Sequence, residues 1–446
     1  MMKYIPNVIF LLIMIGSIWF FAQNVKKLIR NIKLGKEIDR FDHPAERWKT
    51  MARVALGQGK MTVRPLAGIL HIFVYVGFVL INIEVLEIII DGVFGTHRIL
   101  SFLGGFYNGM IGFFEILAFL VMVSCIIFFC RRNFVKVGRF WKPEMKGWAK
   151  DDANYILIME VAFMLALFTM NGADQVLQKM GAPHYIETGS FPISSWLTAP
   201  IISQFNDITF ITIIERAAWW FHIIGIFFFL NYLYYSKHLH IILAFPNTWF
   251  SKLEPKGEFN NLQSVTDEVK MMMDPNADPY ADPYAAPAEP QGEPETFGAK
   301  DIFDLNRVQL LNAYTCTECG RCTSECPANL TGKKLSPRKI MMDTRDRLEE
   351  VSKNIDANGS FVDDGKMLVN DYISPEELWA CTSCNACTQA CPVNIDPLSI
   401  IVDLRRYLVM EQSAAPNELN MMMTNVENNG APWQFNNADR LNWAND

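Results

Sequence analysis

The chain has 446 residues, a half-apolar composition with 32 Phe and 22 Met, and a formal net charge of −7. This length exceeds one ordinary domain, and the apolar bias indicates a membrane protein and not a soluble enzyme. Because the chain has no basic excess, nothing supports nucleic-acid binding.

Five segments are apolar over about 20 residues, the length that a helix needs to cross the hydrocarbon core of a bilayer. They are approximately 5–22, 65–90, 110–130, 154–170 and 208–235. No small-residue cleavage site follows the first segment, and Lys26, Lys27 and Arg30 come directly after it. We therefore interpret the first segment as a retained anchor and not as a signal peptide.

Basic residues are unequally distributed among the loops between these segments. Loops 23–64 and 131–152 hold 11 and 7 Lys/Arg, whereas loops 91–108 and 173–207 hold one each. Loops rich in Lys and Arg stay on the cytoplasmic side of a membrane. The pattern predicts a multi-pass protein of a bacterial inner membrane, with the N-terminus outside and everything after the fifth segment in the cytoplasm.

The composition changes after the fifth apolar segment. Residues 246–300 are rich in Pro, Ala, Asp and Glu, include a near repeat at 274–284, and cannot build a core, so we interpret them as a linker. The other predicted units are a membrane domain over 1–245 and a cysteine-rich domain over 301–410. Residues 411–446 lack a clear period and are expected to form an extended or mobile tail.

The cysteine-rich domain contains readable helix starts. Ser336, Ser374 and Asp396 each precede a proline, which places a capping side chain before a proline at the first helical position. Glu377 lies three residues after Ser374, the spacing of a capping box. The predicted fold class is therefore all-α, with a five-helix membrane bundle followed by a helical cytoplasmic domain.

Eight of the ten Cys lie in two runs with identical spacing. The runs are Cys316-x-x-Cys319-x-x-Cys322-x-x-x-Cys326-Pro327 and Cys381-x-x-Cys384-x-x-Cys387-x-x-x-Cys391-Pro392. In two-cluster ferredoxins the first three thiolates of such a run bind one [4Fe-4S] cubane and the fourth binds the other. We therefore predict cluster A on Cys316, Cys319, Cys322 and Cys391 (set A), and cluster B on Cys381, Cys384, Cys387 and Cys326 (set B).

A structural zinc site is the alternative, because C-x-x-C pairs also bind zinc. Four Cys per run, repeated and followed by proline, exceed what one zinc site needs. A separation of 54 residues between Cys326 and Cys381 leaves room for a helical insertion. In this arrangement, residues 301–409 resemble the C-subunit of heterodisulfide reductase, an alpha-helical ferredoxin. The resemblance implies a cytoplasmic partner subunit of the heterodisulfide reductase B/D type with CCG motifs, since this chain contains no such motif.

Four of the seven His lie in or at the ends of the apolar segments: His71, His222, His238 and His240. Ionisable residues at membrane depth are candidates for function. His71 lies near the inner end of the second segment, and the fifth returns to that side at His238 and His240, so a bis-histidine haem b is feasible there. On one continuous helix His222 and His240 would share a face, about five turns apart, which favours His240 over His238. His222 then indicates a second, outer haem.

Short motifs surround these histidines. They are Arg64-Pro65-x-x-Gly68-x-x-His71, Trp220-x-His222 and Ser236-Lys237-His238-Leu239-His240. With these motifs the membrane half resembles the gamma-subunit of respiratory nitrate reductase, which implies haem ligands on the second and fifth helices. Two-haem members carry a further His about three turns along the second helix, where this chain has Ile81 and Asn82.

Together these patterns predict a quinone-linked oxidoreductase subunit. Electrons would pass between a membrane quinone, haem b, two [4Fe-4S] clusters and the cytoplasmic partner, with the chemistry supplied by the cofactors. The sequence assigns no catalytic side chain. One alternative is a non-enzymatic electron conduit or assembly subunit of a larger respiratory complex. Another is proton translocation through membrane carboxylates such as Glu84 and Glu87.

Overall fold

The computed structural model describes residues 4–255, 257–274, 296–434 and 436–444. These residues form α-helices joined by turns and by short 3-10 or π segments. The β-type pairings recorded within them are two isolated bridges, Lys36 with Asn306 and Val369 with Ile373. The all-α fold class predicted from the sequence is confirmed.

The amino-terminal half forms the membrane domain. It contains α1 (Ile5–Ile32), α2 (Pro44–Met51), α3 (Pro65–Phe94), α4 (Gly105–Asn133), α5 (Trp148–Lys179), the single turns α6 (Ser194–Leu197) and α7 (Ala199–Ile202), and α8 (Ile208–Tyr232). Of the described helices, α1, α3, α4, α5 and α8 are long and apolar enough to cross a membrane. The five predicted membrane segments are therefore confirmed.

Burial separates central from peripheral membrane helices. In the most apolar window of each helix, 11% of the residues of α1 are buried, against 44% for α4 and 56% for α5. The α4–α5 pair therefore lies at the centre of the bundle, while α1 presents most of its apolar side chains outward, as a lipid-facing helix does. One residue that α1 does bury is Phe10, whose ring lies 5.6 Å from Trp219 and 5.8 Å from Phe227 on α8.

The carboxy-terminal half continues with ten further helices among the described residues. They are α9 (His240–Trp249), α10 (Gln263–Met273), α11 (Arg307–Thr315), α12 (Arg321–Ser324), α13 (Pro327–Leu330), α14 (Pro337–Asn358), α15 (Pro375–Trp379), α16 (Ala386–Ala390), α17 (Pro397–Arg406) and α18 (Asn417–Asn429). Helix α10 lies in the segment interpreted as a linker. Residues 275–284, which form most of the near repeat in that linker, lie outside the described residues. The expectation of an extended tail is wrong for α18, which ends at Gly430 in the left-handed conformation.

The predicted helix starts in the cysteine-rich domain are confirmed. The Ser336 hydroxyl accepts a hydrogen bond from the Lys339 amide at the start of α14. Ser374 and Glu377 form a reciprocal capping box at the start of α15. The Asp396 carboxylate accepts bonds from the amides of the second and third residues of α17. Local side-chain chemistry therefore determines where these helices begin.

The cysteine-rich domain packs directly on the end of the membrane bundle that carries its basic loops. The Lys36 amide donates to the Leu305 carbonyl at 2.8 Å, and the Arg307 amide donates to the Lys36 carbonyl at 3.0 Å. Nearby, Arg30 at the end of α1 forms an ion pair with Asp356 of α14 at 2.6 Å. These contacts hold the two halves of the chain together at the site where the candidate cofactor residues lie.

Candidate cofactor centres

The two Cys runs adopt the same backbone conformation. Each passes through two left-handed residues, Glu318 (φ 54°) and Gly320 (φ 70°) in the first run and Ser383 (φ 56°) and Asn385 (φ 60°) in the second. The left-handed region is unfavourable for residues other than glycine, so its recurrence at matching positions reflects a shared loop geometry. In both runs the third Cys lies in a short helix and the fourth is extended before its proline.

The four thiols of set A line one cavity. Cys391, from the second run, joins Cys316, Cys319 and Cys322 there, together with Arg321 and Arg338. The crossed grouping predicted for set A is thus the one that the structure brings together. The two guanidinium groups supply positive charge beside the thiols, which would stabilise an anionic iron–sulfur cluster.

Set B lies beside set A. Burial raises the pKa of the Cys381 thiol, and the neighbouring thiols of Cys326 and Cys384 raise it further. Cys326 of the first run therefore lies near Cys381 of the second run. The Cys381 sulfur accepts a hydrogen bond from the Ser383 amide at 3.4 Å. Cys384 is the one solvent-exposed thiol among the eight of the two runs. Set B therefore lies at the solvent side of the pair.

Most of these thiols are buried, which makes ionisation unfavourable without a cation. Burial raises the pKa of Cys316 to about 12, that of Cys387 to about 12 and that of Cys391 to about 11. At neutral pH such thiols stay protonated unless metal ions displace the protons. Their environment therefore fits metal ligands and not freely reactive thiols.

The arrangement fits cubanes better than single metal ions. Among the described residues, no three His, Cys, Asp or Glu side chains converge closely enough to hold one metal ion. Two runs of four Cys, each followed by proline, supply the eight thiolates that two cubanes need, twice the number that one zinc site uses. The number and spacing of the cysteines therefore favour the iron–sulfur interpretation over zinc.

His71 and His240 face each other at the end of the membrane domain that contacts the cysteine-rich domain. Their ring centroids lie 6.4 Å apart, with the ring planes at 45°. Two imidazole–metal bonds of about 2 Å each and the two half-rings account for this separation, so one metal ion fits between the rings. His240 Nδ1 donates to the Lys237 carbonyl at 3.1 Å, which leaves its Nε2 for a metal. The pair therefore fits the axial ligands of a haem b.

The helical-phase argument for His240 is wrong, although the structure pairs this residue with His71. Ser236 is extended (φ −116°, ψ 147°), and the 3-10 turns Leu233–Tyr235 and Lys237–Leu239 flank it. The chain therefore changes direction between α8 and α9 and does not continue as one helix. His240 faces His71 because of this break.

The other two candidate histidines have different surroundings. His238 packs against His240, with ring centroids 5.6 Å apart, and against Phe229 at 5.2 Å. His222 is buried, its Nδ1 lies 3.0 Å from the Phe163 carbonyl, and its Nε2 has no hydrogen-bond partner in the part of the chain that the structure describes. Ile81 occupies the position on α3 where two-haem members carry a further histidine, and it is buried in the core. His222 is therefore oriented as a metal ligand is, but without a histidine opposite it on α3.

A cavity of about 350 Å³ lies at the far end of the bundle, away from the cysteines. Apolar walls come from Phe10, Trp219 and Trp220, and polar groups from His97 and Asp174. His97 Nε2 lies 3.4 Å from the Asp174 carboxylate, while its buried Nδ1 has no partner within the described residues. The cavity therefore combines aromatic walls with polar groups that would orient a small ligand, and its lining also includes the charged residues Glu87, Asp91, Arg98, Glu215 and Arg216.

Comparisons with known proteins agree with the cysteine geometry. Residues 315–395, which span both Cys runs, match the model of the 4Fe-4S dicluster domain. The chain is 30% identical over 98% of its length to the "Probable iron-sulfur-binding oxidoreductase FadF" of Bacillus subtilis (strain 168). It is 28% identical over 91% of its length to EtfAB:quinone oxidoreductase of Syntrophomonas wolfei. The chain is a homologue of iron–sulfur oxidoreductases.

The dicluster domain also has shorter relatives. The chain is 31% identical, over 26% of its length and 60% of the relative, to the C-subunit of the Ferredoxin/F(420)H(2)-dependent CoB-CoM heterodisulfide reductase of Methanosarcina acetivorans. The predicted resemblance to heterodisulfide-reductase-type subunits is thereby confirmed. The chain spans 60% and 55% of the two longer oxidoreductases. No solved structure matches it.

Three charged residues with little solvent exposure at the dicluster domain were not predicted as functional candidates from the sequence. Glu318 and Arg321 lie within the first Cys run, and Lys237 lies between the candidate histidines of the fifth segment. An alignment of the two runs would have singled out Glu318 and Arg321, because the second run has Ser383 and Ala386 at those positions. No comparable signal marks Lys237, whose partner is distant in the chain.

Proposed function

We propose that the chain is an integral-membrane electron-transfer subunit that connects a membrane quinone with a cytoplasmic redox partner. The observation that carries this proposal is the location of set A, set B and the pair His71–His240 together at one end of the bundle. Sets A and B would each hold one [4Fe-4S] cluster, and the histidine pair one haem b. When bound, these groups accept and release single electrons, which suits a link between a two-electron quinone and a one-electron chain.

The position of set B supports a partner on the cytoplasmic side. Cys384 is exposed, whereas the backbone around set A contacts the membrane domain through Arg321 and Lys60. Electrons would therefore leave or enter through cluster B, at a surface that a heterodisulfide-reductase-type subunit with CCG motifs could contact. The excess of Lys and Arg in loops 23–64 and 131–152 supports an inner-membrane orientation with this domain in the cytoplasm. The domain boundaries after residues 245, 300 and 410 are part of the same proposal.

The outer cavity is the candidate quinone site. Its aromatic walls suit a quinone ring, and the unpartnered Nδ1 of His97 suits a quinone oxygen. Glu87, on its wall, lies 16 residues beyond His71 on α3, a rise of about 24 Å. An outer haem on His222 would shorten the electron transfer from this cavity to the pair His71–His240. A haem content of two per chain would support the outer location, and a content of one would count against it.

The decisive measurement is a reduced-minus-oxidised spectrum of the purified full chain, with iron, acid-labile sulfide and haem analysis. We expect a b-type α-band and about eight cluster irons per chain. The quinone link is tested by adding a quinol analogue to the oxidised chain. Oxidation of the quinol is then measured as bleaching of the cluster absorbance. A chain with clusters and haem that does not react with quinols would be an electron conduit only. Zinc in place of iron and sulfide would refute the redox function altogether.

A further inference from the structure

The two Cys runs share spacing and backbone conformation but differ in buried charge. Glu318 in the first run corresponds to Ser383 in the second, and Arg321 corresponds to Ala386. Glu318 is 3% exposed and Arg321 is 5% exposed. A buried charge is unfavourable unless it is paired, and the second run shows that the loop forms without either charge. The first run therefore carries two charges that its fold does not require.

Glu318 connects the first run to the segment that carries His240. Its carboxylate accepts hydrogen bonds from Lys237 Nζ and, at 2.7 Å, from Arg345. Two cations, Lys237 and Arg345, therefore pair with this one buried carboxylate. The Lys237 carbonyl in turn accepts the hydrogen bond of His240 Nδ1 at 3.1 Å. One lysine thus bridges the cluster A loop and a candidate haem ligand.

Arg321 connects the same run to the segment before His71. It donates to the Lys60 carbonyl at 2.9 Å, and Lys60 Nζ donates to the carbonyl of Cys391 at 3.1 Å. Gly68, one turn before His71, allows this loop to pack closely, because a Cβ there would lie 2.6 Å from the Met61 carbonyl oxygen. The cluster A loop is therefore tied to both segments that carry the facing histidines.

From these contacts we infer that Glu318 and Arg321 are positioning residues that make cluster A the haem-facing cluster and set its potential apart from that of cluster B. This inference rests on the proposed function. In the step concerned, one electron would leave a haem held by His71 and His240 and enter a cluster held by set A, or the reverse, so that one group is oxidised as the other is reduced. Reduction makes the cluster more negative, so Arg321 favours it and the Glu318 carboxylate opposes it.

The test replaces each charge by the residue that the second run already carries there. In the detergent-solubilised full chain, Glu318→Ser and Arg321→Ala should keep about eight irons. Potentiometry followed by electron paramagnetic resonance should show a lower potential for cluster A in Arg321→Ala and a higher one in Glu318→Ser. We expect each shift to reach a tenfold change in the reduction equilibrium, about 59 mV for one electron. Cluster B, identified by its change in Cys384→Ser, should shift less than twofold.

Two variants separate charge from folding. Arg321→Lys keeps the charge and should restore the cluster A potential. Lys237→Met leaves the Cys run untouched and keeps the carbonyl that binds His240, and it should lower the cluster A potential because it removes a positive charge. Equal shifts of both clusters, or shifts of the same sign in Glu318→Ser and Arg321→Ala, would overturn the inference. If Glu318→Ser or Arg321→Ala loses iron and Lys237→Met leaves the cluster A potential unchanged, the inference is also overturned.

The result also distinguishes this inference from the proposed function. A wild-type chain without a b-type band would refute the haem and the haem-facing role together. Opposite shifts of cluster A would then still support potential setting by the two charges. A wild-type chain with haem, clusters and quinol activity, but no selective shift of cluster A in the variants, would leave the proposed function intact and refute the inference alone. Ser383→Ala, at the matching position of the second run, is the control and should leave cluster A unchanged.

Discussion

Crossed ligation of the two clusters can be tested by counting iron in paired cysteine variants. Each cubane needs four thiolates, and loss of one protein ligand is expected to release that cluster, so Cys391→Ala should reduce the iron from about eight to about four per chain. In the structure Cys391 shares a cavity with Cys316, while Cys381 lies with Cys326. Cys391→Ala combined with Cys316→Ala should therefore still retain about four irons, because both changes remove ligands of cluster A.

The other pairing should give the opposite result. Cys391→Ala with Cys381→Ala removes a ligand from each cluster and should leave almost no cluster iron or acid-labile sulfide, although these two residues belong to the same run. The non-additivity of the first pair and the additivity of the second form a double-mutant cycle. Cys130→Ala, on α4 and outside both runs, is the control with full iron content. Retention of about four irons by the Cys391–Cys381 pair would refute crossed ligation.

Other changes test the haem ligands and the packing of the dicluster domain. His71→Ala should lower the haem content by one per chain in reduced-minus-oxidised spectra, whereas His238→Ala should leave it unchanged, and equal loss in both would contradict the pairing of His71 with His240. Arg347 is fully buried and binds Asp301 at 2.8 Å; Arg347→Met leaves that carboxylate unpaired and should cost about 3–5 kcal/mol, measured as earlier thermal bleaching of the clusters. Ser374→Ala removes one half of a capping box and should cost only about 1 kcal/mol in the same assay.

Features that depend only on residues close together in the sequence could be predicted from the sequence itself. The membrane helices follow from apolar segments long enough to span a bilayer, and the starts of α14, α15 and α17 follow from a capping residue before proline. The spacing of the two Cys runs likewise predicted the 4Fe-4S dicluster domain. Such patterns can be read directly because their physical cause lies within one or two helical turns.

Contacts between distant segments were decided only by the tertiary structure. The position of His240 depends on a break at Ser236, which the sequence does not announce because residues 233–240 contain no glycine or proline. The bridge from Lys237 to Glu318 joins residues 81 positions apart in the chain, and burial of both charges is favourable only once the two domains meet. The helix of the tail, α18, has no strong period to announce it. In each case the stabilising partner is remote in sequence, so its effect exists only in the folded protein.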